Sequence, residues 1–468
     1  MSDPTPSAPP AAAPSSRGVG GFRWAICGLL FFSVAVNYID RLVIGILKGP
    51  LSEHLRWTEN DYANIAAAFQ FAYAFGYLFG GRVMDWLGVK RGLPLFVLAW
   101  SAAATAHGLC ALIPVDARFS LSLPWFSWTN QAFVWVALVG PMTALGFMGA
   151  RIALGLSEGG NFPGAIKTVA EWFPVRERAL ATGIFNAGTN VGAVLCPVLV
   201  PWMYATWGWP AAFYVTGAVG FLWVVAWWLL YDLPEKHRHL SAAERDYILE
   251  GKPPVEEKKV AVSWLSLLKH RAVWAYVVAS ILAGPVWNIY QFFLPDFLTK
   301  RFHMPLQQIG LWTGVFYFLA AFGGVAGGWL AGRLLGKGWT LNAARKITLL
   351  LCAVVVVPVF LAPFMSSVWL TVLIVGLAGS AHQGWSANLF SFVSDTMPRH
   401  AIGAVVGLGG FVSYFTGGLV AKVIGWTLEA TGSYVSIFAG ASLMYVLSLL
   451  FLHLLVPRIP ATAARSAD

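Results

Sequence analysis

Residues 30–47, LFFSVAVNYIDRLVIGIL, and residues 148–166, MGARIALGLSEGGNFPGAI, decide how this chain is to be read. Both are apolar runs long enough for a bilayer, and both carry ions in mid-run: Asp40 and Arg41 in the first, Arg151 and Glu158 in the second. An ionisable side chain at membrane depth costs several kcal/mol, about 2.5 to 3.5 on insertion scales. It persists mostly where it faces a water-filled path and acts on an ion or substrate. These four residues are therefore where function is to be sought.

The rest of the chain agrees with a membrane setting. Of 468 residues, 58% are hydrophobic and 11% charged, against about 25% charged in soluble domains. Apolar runs of about 20 residues, each enough for one helical span, occur twelve times: 22–46, 61–81, 92–113, 141–167, 178–203, 209–232, 272–297, 309–331, 346–364, 369–395, 402–428 and 434–456. The first run is too long for a cleavable signal peptide and lacks a small-residue cleavage site. The expected fold is an all-α polytopic bundle of twelve transmembrane helices in two six-helix halves.

Charge sets the orientation. Twenty-two basic residues fall at loops and span edges on the side of the termini. Only Lys48, Arg56, Arg118, Lys300 and Arg301 fall on the other. Positive loops stay cytoplasmic, so both termini are expected inside. The same asymmetry accounts for the net charge of +10 without nucleic acid. Residues 1–20 read as a disordered tail, 21–232 as the first half, 233–270 as a cytoplasmic linker, 271–457 as the second half and 458–468 as a tail. Within the linker, LSAAERDYILEG (240–251) reads as an amphipathic surface helix. The segment 114–140, with RFSLSLPWFSWTNQ, has the aromatic density of an outer membrane interface.

The halves read as degenerate repeats. GGRVMDWLGVKR (80–91) after the second span is echoed by GGWLAGRLLGKGW (327–339) after the eighth. EWFPVRERALATG (171–183) is echoed by SDTMPRHAIGAVVG (394–407). Internal symmetry of this kind marks secondary transporters, whose site lies between the repeats near the midplane. The set Gly81, Asp85, Gly88 and Arg91 resembles the signature of the major facilitator superfamily between spans two and three. There, glycines allow a tight turn and the acid can latch the cytoplasmic face.

Spacing then gives roles to the buried ions. Asn37 and Arg41 share a helix face, and Asp40 lies about 100° round from Arg41. Arginine is always charged and grips a carboxylate with two parallel bonds, so a cavity-facing Arg41 points to an anionic substrate. Arg151 and Glu158, seven apart, share a face of their helix, and Arg151 is the expected partner of Glu158. Burial makes a carboxylate keep its proton more readily and a nearby arginine works against that, which is the balance proton coupling needs. Polar and aromatic groups on other spans include Gln70, Tyr73 and Tyr77, then Trp287, Asn288 and Gln291, then His382, Trp385, Ser386 and Asn388. Such groups also serve plain interhelical bonding.

The four cysteines, Cys27, Cys110, Cys196 and Cys352, form no CxxC and read as small buried hydrophobes. No GxxxxGK[ST] motif is present, which argues against ATP drive. No cofactor, metal site or catalytic constellation is expected, and the energy source is expected to be a proton gradient.

NYIDR (37–41), the run from Ala150 to Gly188, and AHQGWSANLFSFVSD (381–395) resemble the anion:cation symporter family, and within it the bacterial hexuronate transporters. The resemblance covers nearly the whole chain. It implies proton-coupled uptake of glucuronate or galacturonate in a bacterial inner membrane, by a protein taken to be monomeric. It places the substrate carboxylate at Arg41 and proton transfer at Asp40 and Glu158. Tyr73 matches a binding-site tyrosine; Asn190, Gln291, Trp385 and Asn388 stand as pocket residues. Two segments depart from the family pattern: LAGPVWNIYQFFLP (282–295) has Gly284 where an acid is expected, and GGFVSYFTGG (409–418) is bulkier than expected. Uptake of another organic anion, an aldonate or an aromatic acid, and a transporter-like sensor remain the alternatives.

Overall fold

The computed structural model describes residues 20–127, 132–249, 267–397 and 399–459. The tails and the KPPVEEKK part of the linker lie outside them, as does the Asp85 side chain. Among the described residues, nine helices are long and apolar enough to cross a membrane. They include span one (Phe22–Ile46), three (Val89–Leu109), five (Val175–Trp207), six (Trp209–Leu230), seven (Arg271–Phe302), eight (Leu306–Gly336), eleven (Arg399–Thr431) and twelve (Val435–Leu455). Span nine runs as an α-helix over Leu341–Val356 and tightens into a 3-10 helix over Val357–Phe364, where Pro358 and Pro363 fall. The other three expected spans are the polar ones. Span two is Glu59–Leu87, and span ten is Val368–Thr396. Span four is broken into Met142–Glu158 and Asn161–Trp172 at the Gly159-Gly160 pair, immediately after Glu158.

Glycine governs how the spans meet, and it does so twice in the same way. A Cβ at Gly159 would lie 2.3 Å from the Gly76 carbonyl carbon, and one at Gly155 would lie 2.6 Å from the Phe69 carbonyl oxygen. Spans two and four therefore touch backbone to backbone. In the second half, a Cβ at Gly327 would lie 2.6 Å from the Gly384 Cα, so spans eight and ten touch likewise. Small residues permit this approach where lipid offers no hydrophobic drive. The halves join along spans two and eleven and along spans five and eight. Between spans two and three the chain turns at Gly88, whose φ of +72° suits glycine.

Two segments differ from expectation. In the first, two antiparallel strands pair, β1 (Arg118–Ser127) and β2 (Ala132–Pro141), with Arg118 opposite Pro141 and Ser127 opposite Ala132. Aromatic density alone did not reveal its strand pairing. The linker helix, Ala242–Leu249, is not merely a surface helix. Its Glu244 is 1% exposed and accepts from the Phe22 and Arg23 backbone N–H groups, capping span one from outside its own sequence. Arg23 bonds both Glu244 and Glu177, fastening the linker to the start of span five.

Candidate functional site

Span one delivers Arg41 to the centre of the bundle, 2% exposed. Its Nε and Nη2 donate to one oxygen of Glu158, at 3.1 and 3.0 Å, and Nη2 also donates to Asn37 at 3.3 Å. Its Nη1 donates to the Tyr414 hydroxyl of span eleven at 3.4 Å. Aromatic faces surround the cation: Tyr73 at 4.4 Å, Tyr38 at 4.9 Å and Phe69 at 5.5 Å from ring centroid to guanidinium carbon. Such faces stabilise a desolvated cation by up to about 2 kcal/mol each.

The pairing thus runs across helices. Glu158 pairs with Arg41, not with its expected partner Arg151. Arg151 is fully buried and donates through Nη1 to the Arg41 main-chain carbonyl at 3.3 Å, bracing the turn that carries Arg41. The cause is the packing of spans two and four: the glycine contacts push the Glu158 end of span four against Tyr73 and so beneath Arg41. Asp40 points away from Arg41, as the 100° offset requires, toward Thr216 of span six. Among the described residues, neither of its carboxylate oxygens has a partner at close hydrogen-bond distance, nor do Glu158 Oε1 and Arg151 Nε and Nη2. Buried polar atoms are normally satisfied, so these are the groups of the centre that can meet a proton or a ligand.

The second half supplies part of what was expected. Gln291 is buried with its Nε2 unpartnered, on span seven where the helix crosses span one at Gly45. Asn190 is half-buried and shares the face of span five that carries Val194 and Pro197 against span eight. Two expected pocket residues are engaged elsewhere. Asn388 donates to the Gly327 and Gly384 carbonyls and accepts from Arg345, so its amide locks spans eight, nine and ten together. Trp385 is 1% exposed and packs edge-on against Tyr445. A tryptophan beside Tyr38, one of the rings around Arg41, is Trp287, stacked on His382 at 4.9 Å. Of the proposed latch, Arg91 is exposed and Gly81 faces Pro163, while Lys90 pairs with Asp232 at 2.9 Å.

A second ionic cluster escaped the sequence reading. At the end that the charge asymmetry assigns to the outside, Lys48 pairs with Asp296 at 2.6 Å and with Glu59 at 2.7 Å. Lys300 pairs with Glu59 and with Asp296, and the Tyr434 hydroxyl donates to Asp296. Lys48 and Glu59 belong to the first half, and Asp296, Lys300 and Tyr434 to the second. The halves are therefore pinned at this end. Lys48 and Lys300 had been placed in plain outer loops; Lys48 is in fact 2% exposed. Removing one partner of a buried ion pair costs about 3–5 kcal/mol, so Asp296→Asn should loosen this end. Outside labelling of a cysteine at Ala66, buried two turns inward from Glu59, should then rise several-fold. Unchanged labelling would mean that the cluster does not hold the halves together.

The four cysteines are free and buried, and no group of ligands for a metal ion occurs among the described residues. The Major Facilitator Superfamily profile matches residues 30–421. The hexuronate transporter of Escherichia coli strain K12 is 27% identical over 452 residues, 95% of this chain and 96% of that protein. The galacturonate transporter of Dickeya chrysanthemi is 28% identical over 343 residues, 72% of this chain and 90% of that one. Among solved structures, a D-xylose–proton symporter superposes with a TM-score of 0.71 at 15% identity, covering 94% of this chain and 99% of its own. A bacterial homologue of the human lysosomal transporter Spinster, inward-facing, gives 0.65 at 17% identity, covering 94% and 96%. A helical bundle with ions buried where its halves meet is thus matched by the family profile over residues 30–421: the chain belongs to the Major Facilitator Superfamily and is a multi-pass membrane transporter, not an enzyme.

Proposed function

We propose that the chain imports a sugar acid, a hexuronate, together with protons, by alternating access in a bacterial inner membrane with both termini cytoplasmic. The observation that carries this reading is the state of Arg41. One edge of its guanidinium is held by Glu158 within its own half, and its Nη1 is met by a long bond to Tyr414 from the opposite half. A substrate carboxylate competes with Glu158 for the same cation. Protonation of Glu158 releases Arg41 to the substrate; loss of that proton returns Arg41 to Glu158 and expels the substrate. Asp40, buried toward Thr216 on the other side of span one, is a second proton carrier. The named substrates of the relatives, hexuronate and galacturonate, are carboxylates of this kind.

Tyr73, Gln291 and Asn190 supply hydroxyl partners for the sugar ring, and Trp287 replaces Trp385 as the apolar wall. The protein acts as a monomer, with no cofactor beyond the ion gradient. A neutral hexose would leave a buried charge poorly paired, at a cost of about 1–3 kcal/mol or more. Glucuronate and galacturonate should therefore compete for uptake in proteoliposomes under an inward proton gradient, and glucose and galactose should not. Strong competition by an aromatic acid, with none by either hexuronate, would replace the sugar-acid assignment with another organic anion. Binding without counterflow of labelled substrate would make the protein a sensor.

A further inference from the structure

Tyr414 lies in GGFVSYFTGG, the segment of span eleven that is bulkier than the family pattern. Its ring packs on Tyr73 at 4.3 Å between centroids, and its hydroxyl is the acceptor for Arg41 Nη1. It is half-buried and enters the site from the half opposite to Arg41. Space for this arrangement is made one turn earlier. A Cβ at Gly410 would lie 2.7 Å from the Tyr77 ring, so glycine there lets span eleven close onto span two.

The Arg41–Tyr414 bond is long and uses only the acceptor side of the hydroxyl. The hydroxyl proton has no acceptor among the described residues. A carboxylate placed between the two groups would accept from Arg41 Nη1 and from the Tyr414 hydroxyl at once. We infer that Tyr414 is a specificity-determining residue that binds the substrate carboxylate jointly with Arg41, so that the carboxylate bridges the two halves. The inference rests on the sugar-acid reading of this same site and adds the second ligand to the anion. It also explains how binding is felt by span eleven: the carboxylate replaces one long bond between the halves with two bonds to a charged acceptor.

The test uses the full-length protein and glucuronate, with affinity measured by calorimetry and transport by counterflow. Tyr414→Phe keeps the ring against Tyr73 and removes only the hydroxyl. A hydrogen bond to a charged group is strong enough that its loss should weaken affinity about tenfold or more. The melting temperature of the ligand-free protein should not change. A residue that only fills space would tolerate Phe and fail as Tyr414→Ala. Wild-type affinity in Tyr414→Phe therefore overturns the proposal, whatever Tyr414→Ala does. A loss of affinity accompanied by a lower ligand-free melting temperature overturns it too, because the hydroxyl would then be supporting the fold. If the wild-type protein binds no sugar acid, the underlying reading fails and this inference with it. That result is told apart from the others by the wild-type measurement alone.

Discussion

Replacing Arg41 by lysine should nearly abolish high-affinity binding of a sugar acid, although the charge is kept. Lysine offers a point charge on a flexible stem, whereas the guanidinium presents several donors in one plane. In this protein the plane matters doubly. Nε and Nη2 hold Glu158 while Nη1 faces Tyr414, so the guanidinium has donors in two directions as it passes from the resident carboxylate to the arriving one. An ammonium has no such fixed fork. The expected loss is about a hundredfold in affinity for Arg41→Lys, and more for Arg41→Ala, which also strands Glu158 as a buried unpaired acid. Losing an interaction with a charged, desolvated partner costs about 2–5 kcal/mol, which agrees with that range. Binding by calorimetry, checked against melting temperature and chromatographic homogeneity, provides the measurement. Affinity for glucuronate equal to wild type in Arg41→Ala would sink the assignment.

Glu158→Gln should separate exchange from accumulation. The amide has the shape of the protonated acid and leaves its oxygen available to Arg41, so the helices should pack as before. It cannot release a proton. Labelled and unlabelled substrate should still exchange across the membrane, because the halves can rock with the site permanently in its protonated form. Uptake against a concentration gradient, driven by a pH difference, should fall to background. If Glu158→Gln still concentrates substrate, the proton travels on another group, and Asp40 is the next to test. Asp40→Asn should then show the phenotype expected here of Glu158→Gln.

Much of the architecture was legible before any coordinates. Apolar run length and loop charge speak directly to bilayer thickness and insertion, so spans such as Phe22–Ile46 and Trp209–Leu230 lie where the sequence put them. Arg41 and Glu158 stood out because ions in apolar runs are costly. What could not be read was which ion meets which. Arg41 and Glu158 are 117 positions apart, and their contact depends on how closely Gly155 and Gly159 let span four approach span two. The nearer Arg151 looked the better partner because helical spacing is visible in a sequence and interhelical distance is not. The outer cluster was hidden for the same reason: Glu59 and Lys300 are 241 positions apart, and each alone looks like an ordinary interfacial charge. Asn388 and Trp385 were given to the pocket by motif; that Asn388 bonds the Gly327 and Gly384 carbonyls and Trp385 packs on Tyr445 could not be read there. Tyr414 did leave a trace, in the unexpected bulk of its segment.

The outer cluster has an electrical consequence. Lys48 and Lys300 against Glu59 and Asp296 sum to zero, with two members from each half. Moving one elementary charge through a membrane potential is worth about 2.3 kcal/mol per 100 mV. A group with no net charge that separates in place gains almost nothing from that field. The potential across the membrane therefore neither pulls this end apart nor holds it closed; hydration of the four charges sets the barrier instead. Under the proposed symport, any current measured during uptake then belongs to the substrate anion and its co-transported protons. One proton per monovalent anion would be silent, and two would carry a single positive charge inward.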